Sequence, residues 1–185
     1  AGAHNINEKF IEALGQIEND KLQVIHITGQ RDLELARRTY AKMGFKNKVV
    51  GFSDQISYMF SAADILISRA GASTISEISY FKLPAILIPY PYAGAHQLAN
   101  AKVLVGRNQA LMIEEKNLNS RNLGSYIVDF INNSVKLAAL REGFTRSKTG
   151  NKEGRDLDNN NILLAVNRLA DELLMLVKKR NPNEI

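Results

Sequence analysis

Apolar residues along this chain fall into two alternating patterns. Short continuous runs, rich in β-branched residues, occur at Leu22–Thr28, Lys48–Phe52, Ile65–Ser68 and Ala85–Pro89, with a weaker one at Ala110–Ile113. Continuous rather than alternating apolarity predicts strands buried on both faces, as in a parallel sheet covered by helices. Between the runs the apolar positions recur at helical spacing. Ile6, Phe10, Ala13, Leu14 and Ile17 form one stripe. Leu33–Met43 follows, with Gly44 as the expected C′ residue. Ile56–Ala62, Ile75–Phe81, Gln97–Val105 and Leu123–Ile131 complete the series. Parallel neighbours need crossover connections, which these helices supply. The pattern predicts an α/β fold, a Rossmann-like doubly wound parallel sheet. A further strand is expected to precede Ala1, and the opening Ala1-Gly2-Ala3-His4, without Met or a signal-peptide pattern, suggests a fragment or one half of a split protein.

The rhythm stops at residues 141–161, which are polar and include Asn159-Asn160-Asn161, and a loop is expected there. A terminal helix is predicted over 162–180, with Leu163, Val166, Leu169, Ala170, Leu173, Leu176 and Val177 on a broad apolar stripe and Lys178-Lys179-Arg180 at its end. Such a helix packs on its own domain or lies on an anionic membrane or partner. No internal repeat is present.

Composition narrows the class. At 185 residues the whole chain, 1–185, reads as a single domain, large enough to bury roughly 70% of its unfolded surface without disulfide or metal staples. The apolar runs fall well short of the roughly 20 residues that cross a bilayer. Cysteine is absent, which excludes disulfides, thiolate catalysis and Cys-ligated metals and favours a cytoplasmic setting. The net charge of +5 suits a phosphate-bearing ligand, nucleic acid or an acidic membrane surface. With no Trp and 7% aromatic residues, a base-stacking platform for single strands is poorly supplied.

Candidate chemistry concentrates in residues 65–100, ILISRAGASTISEISYFKLPAILIPYPYAGAHQLAN. In open parallel sheets ligands bind beyond the C-terminal strand ends. The turn Arg69-Ala70-Gly71-Ala72-Ser73-Thr74 sits at such an end, where Gly71 permits positive φ or close approach of a ligand. The helix beginning there offers free N–H groups to an anion, with hydroxyls from Ser73 and Thr74 beside them. Thr74-x-x-Glu77 matches a capping box. Alternatively, Glu77 is an acceptor for two ribose hydroxyls. His96, Gln97 and Asn100 group at a helix start, where amide and imidazole groups either cap locally or read sugar hydroxyls. Phe52-Ser53-Asp54-Gln55-Ile56 leaves a strand, and its backbone either pairs with a base edge or forms a turn capped by Ser53 or Asp54. His4, His26 and His96 lack metal spacing, and His26 reads as a core residue. Neither a nucleophile elbow, a Walker loop nor a glycosidase carboxylate pair is present. Asn132-Asn133-Ser134 fits a glycosylation sequon without a secretory context.

The run SRAGASTISEI…LPAILIPYPYAGAHQLANA closely resembles the C-terminal, nucleotide-sugar-binding domain of the MurG family of peptidoglycan N-acetylglucosaminyltransferases. Ala1-Gly2-Ala3-x-x-x-Asn7 resembles the tail of that family's glycine-rich loop, and Phe52–Ile56 with Ala62-Ala63-Asp64 resembles a second conserved stretch. The resemblance covers about residues 1–131. It implies one half of a two-domain GT-B enzyme that transfers N-acetylglucosamine (GlcNAc) from UDP-GlcNAc, with inversion, to a lipid-linked muramoyl-pentapeptide. Ala72, Ser73 and Thr74 would hold the diphosphate or ribose, and Glu77 the ribose hydroxyls. His96 and Gln97 would contact GlcNAc, Ser53 and Ile56 the uracil, and Gly2 and Ala3 would border the diphosphate. No cofactor or metal is implied. The undecaprenyl-diphosphate-linked acceptor, the catalytic base and the main contact with an anionic membrane, on the cytoplasmic face, belong to the family's N-terminal domain. Nucleic acid is not an implied partner. Ser53 replaces an Ile of the family pattern, and the family's Gly-Gly-Ser before Ala1 is missing. Other readings remain: the catalytic half of a split UDP-sugar transferase, the donor half of a diacylglycerol glycosyltransferase, and a non-catalytic Rossmann-type nucleotide-binding module.

Overall fold

A computed structural model describes residues 3–17, 22–93 and 95–146. Five strands, β1 (Gln23–Ile27), β2 (Lys46–Val50), β3 (Leu66–Ser68), β4 (Ala85–Leu87) and β5 (Ala110–Met112), alternate with seven helices. The helices are α1 (His4–Leu14), α2 (Leu33–Tyr40), α3 (Ile56–Ala62), α4 (Ala72–Phe81), α5 (His96–Gly106), α6 (Ser120–Asn132) and α7 (Ser134–Arg146), and a short 3₁₀ turn spans Glu115–Asn117. Every strand pairing is parallel.

β4 shows why its sequence is apolar throughout. Ala85, Ile86, Leu87 and Ile88 all have 0% exposure. Ile86 and Ile88 pack into one core with Leu14 of α1, Tyr40 of α2 and Leu123 of α6. Ala85 and Leu87 pack into a second core with Ile78 of α4, Leu104 of α5 and Phe144 of α7. Successive side chains point to opposite sides of a sheet, so helices must cover both. The doubly wound arrangement follows.

Three features differ from the sequence expectation. The strands form two ladders, β1–β2 and β3–β4–β5, rather than one continuous sheet; Val24 of β1 nonetheless shares a core with Ile86 and Ile88. Side-chain packing, not ladder hydrogen bonding, is what these ladders share. Next, α2 stops at Tyr40 without using Gly44. Ala41 is the C-cap in right-handed geometry, and Met43 N–H donates to the Tyr40 carbonyl at 3.0 Å. Gly44 is not among the residues with positive φ. Finally, the expected loop 141–161 begins as helix: residues 141–146 complete α7, burying Gly143 and Phe144. The rest of that segment and the terminal helix predicted over 162–180 lie outside the described residues.

The inward turn of α7 depends on Gly143. A Cβ there would stand 2.6 Å from the Arg107 carbonyl oxygen and closer still to that of Asn108. Gln109 and Asn108 seal the contact, donating to the carbonyls of Gly143 and Ala139 at 3.1 Å each.

A buried polar chain joins α1, β1 and α2. Asn7 Nδ2 donates to the Thr28 carbonyl at 2.9 Å and to Asp32 Oδ2 at 2.7 Å. Its Oδ1 must therefore accept from His26 Nε2, 3.1 Å away. His26 Nδ1 is then left to accept from the Tyr40 hydroxyl at 3.0 Å. His4 Nδ1 lies 2.8 Å from the other Asp32 oxygen. His26 is thus a satisfied core residue, and burial lowers its pKa to about 4. Burial opposes ionisation of Asp32, but hydrogen bonds from Asn7 and His4 and the nearby cations outweigh it and hold the carboxyl below its ordinary range.

Two measurements check these contacts. Gly143→Ala is expected to lower stability in urea unfolding by about 1–3 kcal/mol through overpacking. Gly106→Ala, where nothing lies within 4 Å of the added Cβ, is the control and leaves stability equal or slightly higher. The second concerns pH. Unfolded His26 gains a proton near 6.5 and folded His26 only near about 4. Stability is therefore full above 6.5 and falls as pH drops through that window, by about 3 kcal/mol in all. Asp32, with its lowered pKa, adds a loss of the same sign at lower pH. Unfolding midpoints measured across the range show this slope, and His26→Gln flattens it.

Candidate donor-binding site

The two ends of β3 and β4 open the site. The last backbone bond between them runs from Ile88 N–H to the Ser68 carbonyl at 2.9 Å. Beyond it the chains part, β3 into the turn 69–71 and α4, β4 into the loop 88–95 and α5. Backbone groups in the gap still need partners, and side chains supply them. Arg69 Nη1 donates to the Ile88 carbonyl at 3.2 Å. Gln97 Oε1 accepts from Tyr90 N–H at 3.0 Å and from Ala70 N–H at 3.3 Å. Asn100 Nδ2 donates to the Ala70 carbonyl at 3.1 Å.

The Arg69 guanidinium does more than hold the Ile88 carbonyl. It forms a two-pronged ion pair with Glu115, its Nη2 donating to Oε1 at 3.0 Å and its Nη1 to the other oxygen, and it lies 5.1 Å from the centre of the Tyr90 ring. Asn5 Nδ2 also donates to Glu115 Oε1 at 3.0 Å. These bonds, against the cost of burial, hold the Glu115 carboxyl below its ordinary range. The β3 exit, the 3₁₀ turn and the start of α1 are thereby tied together.

α4 begins at Ala72 with Gly71 as its N-cap, in extended geometry (φ −65°, ψ 154°) and with no side-chain cap. Gly71 does not use positive φ. The first helical bond runs from Ile75 N–H to the Gly71 carbonyl at 3.0 Å, so the N–H groups of Ala72, Ser73 and Thr74 have no intrahelical acceptor. They form an uncapped positive helix end suited to an anion. Ala72 and Ser73 are exposed and Thr74 is half-buried. Thr74 is inside the helix, so Thr74-x-x-Glu77 is not a capping box. Glu77 is half-buried, and desolvation raises its pKa. Among the described residues its carboxylate has no hydrogen-bond or ion-pair partner.

His96 is exposed at the first position of α5, just after Ala95 in left-handed geometry (φ 63°). A non-glycine residue there costs roughly 1–3 kcal/mol and is kept only where its surroundings impose it. The structure thus brings Ala72, Ser73, Thr74, Glu77, His96 and Gln97 onto the exits of adjacent strands. Ser53 and Ile56 lie on the exit of β2, in the other ladder. Ser53 Oγ accepts from Gln55 N–H at 3.0 Å, and Gln55, rather than Ser53 or Asp54, is the N-cap of α3. Ala3 is the half-buried N-cap of α1; Gly2 lies outside the described residues.

Sequence reasoning missed the Arg69–Glu115 pair, and it offered Asn100 as a local cap or a sugar contact, whereas its amide holds the Ala70 carbonyl. An Arg directly after a strand was visible, but its carboxylate partner lies 46 residues away and nothing in the chain marks the pair.

Residues 1–156 match the family described as glycosyltransferase family 28 C-terminal domain. A relative from Syntrophus aciditrophicus (strain SB), named UDP-N-acetylglucosamine–N-acetylmuramyl-(pentapeptide) pyrophosphoryl-undecaprenol N-acetylglucosamine transferase, is 45% identical over 132 residues, or 70% of this chain and 37% of the relative. A protein of the same name from Citrifermentans bemidjiense is 37% identical over 145 residues, 77% of this chain and 40% of the relative. The chain therefore spans about two fifths of the length of these relatives. The crystal structure of Acinetobacter baumannii MurG superposes with a TM-score of 0.71 at 26% identity, covering 92% of this chain and 47% of that one. The glycosyltransferase VinC, solved with DTDP, shares the fold at a TM-score of 0.59 and 15% identity, over 76% of this chain and 33% of that one.

Proposed function

The chain belongs to the glycosyltransferase family 28 C-terminal domain family, and from that premise we propose that it is the UDP-GlcNAc-binding part of an inverting transferase that passes GlcNAc to a lipid-linked muramoyl-pentapeptide in peptidoglycan synthesis. One observation carries the reading. A half-buried carboxylate without a partner among the described residues, Glu77, stands one turn inside an uncapped helix N-terminus at the C-terminal edge of a parallel sheet.

That pair of features complements a nucleoside diphosphate. The N–H groups of Ala72, Ser73 and Thr74 face the diphosphate and stabilise the charge that grows on it as the sugar departs. A carboxylate beside a diphosphate would repel it, but it accepts well from two ribose hydroxyls, and Glu77 takes that task. His96 reads the sugar hydroxyls, while Ser53 and Ile56 border the uracil and Gly2 and Ala3 the diphosphate. The acceptor hydroxyl attacks the anomeric carbon from the opposite side and UDP leaves. In this reading the base and the undecaprenyl-diphosphate-linked acceptor site lie outside the residues of this chain, which spans about two fifths of its relatives' length. The net charge of +5 is compatible with work beside anionic lipid, and among the described residues no helix is long and apolar enough to cross a membrane.

Calorimetric titration of the chain with UDP, UDP-GlcNAc and UDP-GalNAc tests the proposal. UDP-GlcNAc is expected to bind more tightly than UDP-GalNAc, and Glu77→Ala to weaken UDP by about 1–3 kcal/mol while stability is little changed. No binding of any of the three at millimolar concentration contradicts the reading.

A further inference from the structure

The family resemblance implies a sugar-facing role for Gln97, yet its acceptor oxygen is already committed. Oε1 takes Ala70 N–H at 3.3 Å and Tyr90 N–H at 3.0 Å, which uses both of its lone pairs. Asn100, next along the same face of α5, holds the Ala70 carbonyl at 3.1 Å. Ala70 itself has 0% exposure. Its N–H and C=O would both be buried without partners if these side chains were removed, because the β3–β4 ladder has ended at the Ser68 carbonyl.

We propose that Gln97 and Asn100 are positioning residues: together they bridge the splayed ends of β3 and β4 and fix the backbone turn that aims the N-terminus of α4 at the diphosphate. The inference rests on the donor-site reading for its ligand, while the bridge itself is a property of the fold. Ala70 immediately precedes Gly71, the N-cap of α4. A shift of the Ala70 peptide therefore moves the N–H groups of Ala72, Ser73 and Thr74 together. The role differs from sugar contact in what it predicts. A residue that touches only the sugar affects UDP-GlcNAc and leaves UDP alone. A residue that sets the turn affects UDP itself, and leaves the preference for the sugar intact.

The experiment uses the 185-residue chain and two substitutions. Gln97→Met keeps length and bulk but removes the acceptor. Gln97→Glu removes the NH₂ donor but keeps acceptor oxygens. Amide hydrogen exchange is followed at Ala70 and Tyr90, and calorimetry is run with uridine, UDP and UDP-GlcNAc. The bridge predicts that Gln97→Met loses protection at both amides, whereas Gln97→Glu retains it. It also predicts that Gln97→Met weakens UDP about tenfold, changes uridine by less than about twofold, and leaves the ratio of UDP-GlcNAc to UDP affinity unchanged. Retained protection in Gln97→Met overturns the proposal, as does lost protection in Gln97→Glu, or a loss confined to UDP-GlcNAc. Failure of the unsubstituted chain to bind UDP at all contradicts the donor-site reading instead, and the exchange measurement still decides the bridge.

Discussion

The structure depends first on the burial of β4 from both sides. A strand whose every side chain is excluded from water cannot sit at an edge or face solvent. Ile86 and Ile88 draw α1, α2 and α6 to one face, and Ala85 and Leu87 draw α4, α5 and α7 to the other. Parallel register with β3 and β5 then places all of their C-terminal ends on one edge. The loops that leave that edge have nowhere to go but outward into helices, and their first N–H groups point back over it. The candidate site is a consequence of packing before it is a matter of chemistry.

What keeps that edge in shape is side-chain bonding to backbone. Where the ladder stops, Arg69, Gln97 and Asn100 take over the hydrogen bonds that a longer strand would have made. Arg69 and Glu115 extend the brace to the start of α1 through Asn5. Around the β1 end, Asn7 does the same with Thr28, Asp32 and His26. Each brace leaves its polar atoms satisfied, which a buried network must do to be stabilising. Glu77 is the exception: half-buried, with no partner among the described residues. We propose that a ligand uses this unfilled acceptor capacity.

Much of this was legible in the chain. Continuous apolar runs located all five strands and helical stripes α1 to α6, but burial on both faces, which the runs predict, is met fully by β4; β1 alternates and β2 has exposed or half-buried residues throughout. The motif at 65–100 marked the candidate site because a helix start is a local feature. The misses have equally physical causes. Polar, glycine-bearing residues 141–146 read as loop, yet Gly143 lies inside α7, where the lack of a side chain permits close contact with the backbone of Arg107 and Asn108. Thr74-x-x-Glu77 matched a capping box, but the helix starts earlier, at Ala72, so Thr74 lies inside it. The braces were invisible for a different reason. Ala70 and Gln97 are 27 residues apart, and Arg69 and Glu115 are 46 apart. Only the fold brings them together.

The central claim, that the exits of β3 and β4 form a nucleotide-sugar site, is tested most directly by backbone amide NMR of the chain during titration with UDP-GlcNAc. The account predicts that the largest shift changes fall on 69–77 and 90–100, with a second group at 53–56 and little change in α6 and α7. Changes centred on α6 and α7, with the amides of Ala72, Ser73, Thr74 and Glu77 unmoved, would contradict it.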